Sequence, residues 1–556
     1  MKPELRNIVI VPLALLAAVC VAAAGCGSDD SNPNQDYSTD GLDWIGDSDM
    51  ISDTPFEDPD QVCTPGLPYC LGVGAYHICN EDGSGYIPGG DCPPGTKCHE
   101  GVCLNPCDLA DNKRSSIGCV YYAVDTNPMN AGDYAVAVSN TNEADSANVL
   151  IETREVSGWV PVTGGSFNVA PLTLHSMVLP HRYHDGSFLY QGGAYRITSD
   201  LPIIAYQFNP LDGSTSFLSD ASLLLPKSGL DTYHIAMAWP QGPADDRTPE
   251  GYPAHIQIVS ATDNNYVDVT PSIATIAGTG VEALMPGGMR TFQLQEGDFL
   301  QLTVANHMDS FTGTYIESTG PVALFSSNDC VNVPADINYC CCEHLEEQIF
   351  GLQTWGKDYV ASRVPMRGAE PAMWQILASM DGTTVSFDYD PTITGLPIAV
   401  TLNRGESQIF QVGGPASAPG DFLITADQPI LVAQFMVAAF MVESGGNNGD
   451  PSMVQAVPTD QYLDRYVVLV PQTWENDFFV ITRGRGYDVT IDTVPVSATW
   501  FAVGASGYEV ARVPVADGVH VVEGASPFGI IVVGYDSFDS YAYPGGLNLE
   551  LINPII

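Results

Sequence analysis

The chain has 556 residues, 45% of them hydrophobic and 15% charged, with 66 acidic against 19 basic side chains and a net charge of −47. That imbalance excludes nucleic acid, whose phosphates call for a basic surface. It also disfavours electrostatic docking onto anionic lipid, and it favours solubility and mutual repulsion outside the cytoplasm.

Residues 1–25 read as an address rather than as fold. Lys2 and Arg6 make a basic start, residues 8–25 run apolar with Pro12 interrupting, and Ala23-Ala24-Gly25 stands directly before Cys26. Basic, apolar and small-residue regions in this order make a secretory signal. The ending resembles the lipobox of bacterial lipoproteins, with Ala23 where Leu or Val is commoner. That resemblance implies acylation of Cys26 and a lipid tether to the membrane. Gly27 is not the aspartate of an inner-membrane retention signal, so the expected location is the outer membrane at the cell surface, with its periplasmic face as the alternative. An ordinary cleaved signal and an uncleaved membrane helix compete with this reading, but the apolar run is short for a span.

Residues 26–60 read as an acidic, disordered linker. Residues 28–60 hold eleven acidic side chains and no Lys or Arg, too little apolar surface to offset the entropy of ordering. Calcium binding by Asp40, Asp43, Asp47 and Asp49 lacks the order of ligands and central glycine of an EF-hand. Residues 61–119 then carry Cys63, Cys70, Cys79, Cys92, Cys98, Cys103, Cys107 and Cys119, crowded by Gly and Pro. An even count in an exported module with little core material reads as a disulfide framework whose connectivity is open. Zinc is disfavoured because paired C-x2-C knuckles are absent. The CPPGTKCHEGVC run is similar to EGF-like or Dickkopf-like cysteine modules.

From residue 120 to 556 the texture is uniform. Short alternating or apolar runs rich in Val, Ile, Thr, Tyr and Phe are separated by Gly, Pro, Asn and Asp, and no long segment has a 3.6-residue period. This predicts an all-β domain. A hairpin-like segment recurs around Pro202, Pro321, Pro429 and Pro527, spaced by 119, 108 and 98 residues. Each is expected to be an alternating strand, a turn, and a second strand opened by proline, where no ladder donor is required. A second element lies upstream of each, at Tyr134, His255, Met373 and Asp477. In the third copy Asp381-Gly382 supplies the positive φ of a tight hairpin turn. A third element links the repeats as a turn, an aromatic-led strand at Tyr233, Tyr359 or Tyr466, and a closing proline. About four repeats follow, each with roughly seven strands, which predicts tandem β-sandwich-like units, with a β-propeller as the alternative.

Within the second repeat, Pro321-Val322-Ala323 leads to Cys330, then Cys342-Glu343-His344-Leu345, Glu347-Gln348-Ile349 and Trp355-Gly356-Lys357-Asp358-Tyr359. This run resembles the N-terminal domain of the IgG Fc-binding protein family, and the resemblance extends more weakly over most of residues 134–550. Glu343 departs from the usual Asp or Asn, and Cys340 and Cys341 are additional. The resemblance implies a secreted or surface-exposed β-rich binding domain without known catalysis, with His344, Trp355, Gly356 and Tyr359 as motif positions. It does not imply antibody as the ligand.

Cys330, Cys340, Cys341, Cys342 and His344 admit a metal site or two disulfides pinning a loop. The exported context favours disulfides, with Cys341 or Cys342 reaching back to Cys330. His344 then reads as a packing or hydrogen-bonding residue, and Trp355 and Tyr359 as core and strand anchors. No nucleophile elbow, zinc-binding H-E-x-x-H pair or phosphate loop is present, so no catalytic residue, cofactor or metal is assigned and the chain is not read as an enzyme. The order of parts predicts a lipid-anchored surface protein displaying a β-rich domain for adhesion or recognition of extracellular protein or glycan. An extracellular polysaccharide hydrolase with a carboxylate-lined cleft and a structural envelope protein without ligand are the alternatives.

Overall fold

Beyond Gly118 the strands fall into four successive units, residues 118–223, 231–349, 358–455 and 463–544. The structure, a computed structural model, describes residues 62–553 apart from 73, 127–131, 212–217, 243–250, 336–341 and 443–447. The expected signal, Cys26, the acidic linker, Cys340 and Cys341 lie outside the described residues.

The third unit shows the plan most plainly. One sheet runs Asp358–Ala361, Phe422–Ala426, Thr383–Tyr389, Ala399–Leu402, and the other runs Ser407–Val412, Ala372–Ala378, Ile430–Phe435, Met453–Gln455. Trp374, Ile376, Val385, Phe422, Ile424 and Val432 fill the space between them. In Thr383–Tyr389 the exposed Thr384 and Ser386 flank buried Val385, as the two-residue side-chain period of a half-covered strand requires. Ala372–Ala378 is buried along its whole length, because its sheet is covered on both faces. The unit is therefore a two-sheet sandwich, and the others repeat its pairing.

The recurrent proline segments are not hairpins. Tyr195–Asn209, Tyr315–Val331 and Gly518–Asp536 are each one continuous strand that passes from the first sheet to the second. In the first unit, Tyr195 to Ser199 pair with Val149–Thr153 of one sheet, and Ile203 to Phe208 with Ala135–Asn140 of the other. Pro202 sits in the gap between the two pairings, as Pro321 and Pro527 do in theirs. A residue without an N–H loses nothing at a corner where no ladder partner exists. Only the third unit breaks there, between Phe422–Ala426 and Ile430–Phe435. Asp381-Gly382 is likewise not a hairpin turn. Gly382 does adopt φ +71°, but the strands it joins lie in opposite sheets.

A tyrosine anchors the first strand to this corner. The Tyr121 hydroxyl accepts from Gly118 N–H at 2.7 Å and donates to the Ile203 carbonyl at 2.5 Å. Tyr359 does the same with Gly356 and Ile430, and Tyr466 with Leu463 and Phe528. Each acceptor directly follows the corner proline. In the second unit Asp231 stands opposite Val322 as Gly118 stands opposite Ile203. The position equivalent to the corner tyrosines is therefore His234, next to the Tyr233 that leads the aromatic strand.

The fourth strand of each second sheet is innermost: Asp220–Leu223, Glu343–Ile349, Met453–Gln455 and Asp539–Pro544. The first abuts the second and fourth, and the third also abuts the second and fourth, so the units close a ring. The chain ends complete it, with Ser116 N–H bonded to the Leu547 carbonyl at 2.9 Å. A strand from the first unit, Phe188–Tyr190, joins the second by pairing with Phe299–Thr303.

Ahead of the ring lies a module of short strands held by Cys63–Cys79, Cys70–Cys98 and Cys92–Cys103. Val62, Leu67, Leu71, Ile87 and Val102 are all exposed, so there is little core. Cross-links closing loops of this size contribute about 3 kcal/mol each. A fourth bridge, Cys107–Cys119, ties the helix Pro106–Lys113 to the first strand of the ring. That helix went unread in the sequence, although Asn105-Pro106 signals it: the Asn105 side chain caps Asp108 N–H at 2.9 Å, and proline at the first turn needs no donor.

Candidate functional site

The segment singled out by its cysteines runs into the centre of the ring. A Cys330–Cys342 disulfide joins the end of the second crossing strand to the start of the inner strand Glu343–Ile349, whose ladder begins at the Val331–Glu343 pair. Every residue of this inner strand is buried. A strand carrying Glu, His, Glu, Glu and Gln is stable there only if the surrounding units supply polar partners.

They do, unevenly. One Glu346 oxygen accepts from the Thr126 hydroxyl, from Gln207 Nε2 at 3.0 Å and from Asn209 Nδ2 at 2.5 Å. His344 Nε2 lies 3.1 Å from Thr126 Oγ1 and 3.8 Å from Glu346. Asp220, from the first unit, accepts four donors: Ser452 Oγ at 2.7 Å, Ala221 N–H at 3.0 Å, Met453 N–H at 3.1 Å and Glu346 N–H at 3.2 Å. This one side chain thus bonds the first unit to the second and third. Gln455 of the third unit donates to Glu347 at 3.2 Å and to the Gln348 carbonyl at 2.8 Å. Asp450 N–H donates to Ser540 Oγ of the fourth at 2.9 Å.

Burial pushes the Asp220, Glu343 and Glu347 carboxyls well above the ordinary range. For Glu343 the neighbouring charges of Asp539 and Asp450 add to this, and for Glu347 that of Asp220. Asp450 is raised to about 7, again chiefly by burial. Among the described residues, no group of three His, Cys, Asp or Glu side chains is arranged to hold a metal ion. A cluster so enclosed offers its groups to the other units rather than to a substrate. Its chemistry is that of a joint.

The remaining motif residues sit in the linker from the second unit to the third. Trp355 is buried and donates its indole N–H to the Phe350 carbonyl at 3.1 Å. Gly356 leaves no room for a side chain: a Cβ would lie 2.4 Å from Pro458 Cβ. Its N–H donates to Tyr359 Oη at 3.2 Å, and its carbonyl accepts from Ile430 N–H at 2.9 Å. The Trp-Gly-x-x-Tyr pattern therefore seats the linker on the corner of the third sandwich. Asp220, Gln207, Asn209, Asp450 and Gln455, which complete the joint, were not singled out in the sequence. Their signal is a polar residue inside an apolar strand, as in Ile203-Ile204-Ala205-Tyr206-Gln207-Phe208-Asn209.

On the outside, a crevice of about 160 Å³ opens between the first and fourth units, lined by Leu174, Phe208, Leu211, Leu469, Pro471 and Thr473 among others, with no acid or base in its wall.

The family model described as IgGFc binding protein matches residues 220–534, more than half of the chain and the whole of the second and third units. No curated protein and no solved structure matches.

Proposed function

The chain belongs to the IgGFc binding protein family, and on that footing we propose that it is a protein-binding component of the cell exterior. In this reading a lipid on Cys26 tethers it to the outer membrane, and the four-unit ring is displayed for recognition of an extracellular protein or glycan. The observation that carries the extracellular part is the set of five disulfides, which persist only in an oxidising compartment. The binding part rests on the family. The enclosed carboxyl joint supports a scaffold role for the ring centre, leaving recognition to the outer loops and sheet faces.

The purified full chain, immobilised and exposed to extracellular matrix proteins, glycans and antibody Fc, tests binding. Saturable capture of one ligand class that survives 0.5 M salt supports the reading, and uniform background binding overturns it. Labelled palmitate tests the tether: incorporation is expected in the wild type and lost in Cys26→Ser. Protease added to intact cells is expected to remove the ring domain; full protection would place it inside the envelope.

A further inference from the structure

The joint divides its carboxyls into two kinds. Asp220 has donors on both oxygens, four in all, so neither oxygen is left without a partner. Glu346 collects three donors on one oxygen, has His344 nearby and leaves its other oxygen without a partner. Glu343, Glu347 and Asp450 have only two donors or one each. Glu343 accepts on one oxygen, from the Ser219 and His344 N–H groups. Glu347 accepts there from Gln455, and Asp450 from Ala439 N–H at 3.0 Å. The second oxygen of each is buried without a hydrogen-bond partner. A bare carboxylate oxygen in such a place is strongly disfavoured, whereas a protonated one leaves only a neutral hydroxyl.

The charges beside Glu343 and Glu347 are acidic: Glu343 faces Asp539 and Asp450, and Glu347 faces Asp220 and Glu346. Asp450 has the Arg367 cation in reach, and His344 lies beside Glu346. We infer that Glu343, Glu347 and Asp450 hold their protons in the folded state, so that the ring is closed at its centre by carboxylic acids, tightening in acid and loosening as the pH rises. The sign follows from linkage. In the unfolded chain these groups ionise near pH 4, so above that pH the folded state binds more protons. Stability is then lost as pH climbs from about 4 through the raised folded values, for Asp450 to about 7.

Thermal unfolding of the full chain between pH 6.5 and 8.5, above the range in which His234 titrates, tests this, in 0.5 M NaCl so that the repulsion of a −47 surface is screened. Tm is expected to fall by several degrees over that range, and calorimetry in buffers of different ionisation enthalpy should show protons released on unfolding at pH 7. Glu347→Gln and Glu343→Gln keep the shape of the neutral acid; each should flatten the slope and raise Tm at pH 8 above the wild type. A wild-type Tm that is flat or rises with pH overturns the proposal, as does proton uptake on unfolding. So do glutamine variants with an unchanged slope. A calcium-dependent Tm at pH 8 that the glutamine variants abolish would mean a bound cation rather than protons, and would overturn it too. The two protonation readouts on wild type stand even if a variant fails to fold.

Discussion

The Tyr359 hydroxyl donates to the Ile430 carbonyl at 2.5 Å while accepting from the Gly356 N–H, so one phenol satisfies the backbone at a corner where two sheets exchange a strand. The same pair of bonds recurs at Tyr121 and Tyr466. Tyr359→Phe leaves a buried donor and a buried acceptor without partners. The expected loss is about 1–3 kcal/mol of unfolding free energy, read from the denaturant midpoint at unchanged m-value. An effect below about 0.5 kcal/mol would show that water replaces the hydroxyl and that the corner is not held this way.

His234 occupies the corner position in the second unit and responds to acid. Burial holds its imidazole at about 4, and its Nδ1 has no hydrogen-bond partner. The folded value lies below the unfolded one near 6.5, so the neutral ring's contribution is complete above pH 6.5 and is lost as pH falls towards 4. The loss is on the order of 3 kcal/mol at pH 4. His234→Phe should remove it: the stability difference between variant and wild type should move in the variant's favour between pH 7 and pH 4.5. A difference independent of pH would mean that the imidazole charges in the fold without penalty.

Gly356 and Gly382 separate two reasons for glycine. An alanine Cβ at 356 meets Pro458 at 2.4 Å, while at 382 it meets open space but the backbone is left-handed at φ +71°. Gly356→Ala should cost about 1–3 kcal/mol through overpacking against Pro458. Gly382→Ala should cost about 1 kcal/mol through backbone strain in an open turn. Equal costs at the two positions, by chemical denaturation, would contradict the tight packing of the Trp-Gly-x-x-Tyr linker.

Removing the Cys330–Cys342 bridge by Cys330→Ser with Cys342→Ser frees a loop of about a dozen residues beside the carboxyl joint. The chain-entropy cost is about 3 kcal/mol. Limited proteolysis should then cut first between residues 331 and 342, and stability should fall with it. Unchanged stability and cleavage elsewhere would show that the ladder starting at the Val331–Glu343 pair holds the loop unaided.

The sequence by itself determined the all-β class and the tandem repetition, because a two-residue period and Gly/Pro punctuation report local burial directly. Its cysteine density determined that the leading module depends on cross-links rather than on a core. Tertiary structure decided what those local signals could not name. A proline marks a missing donor whether the chain turns back or crosses a corner, and only the partners of Tyr195 to Phe208 show that it crosses. The sequence offers Tyr233 as the aromatic of its strand, and only the register opposite Val322 places His234 at the corner. The carboxyl joint was least legible of all. Glu343 and Glu347 look like surface residues in a polar run, and they are buried only because three other units, up to about two hundred residues away, close over them. Burial of that kind is a property of the assembled ring, and the protons it holds in place belong to the ring as well.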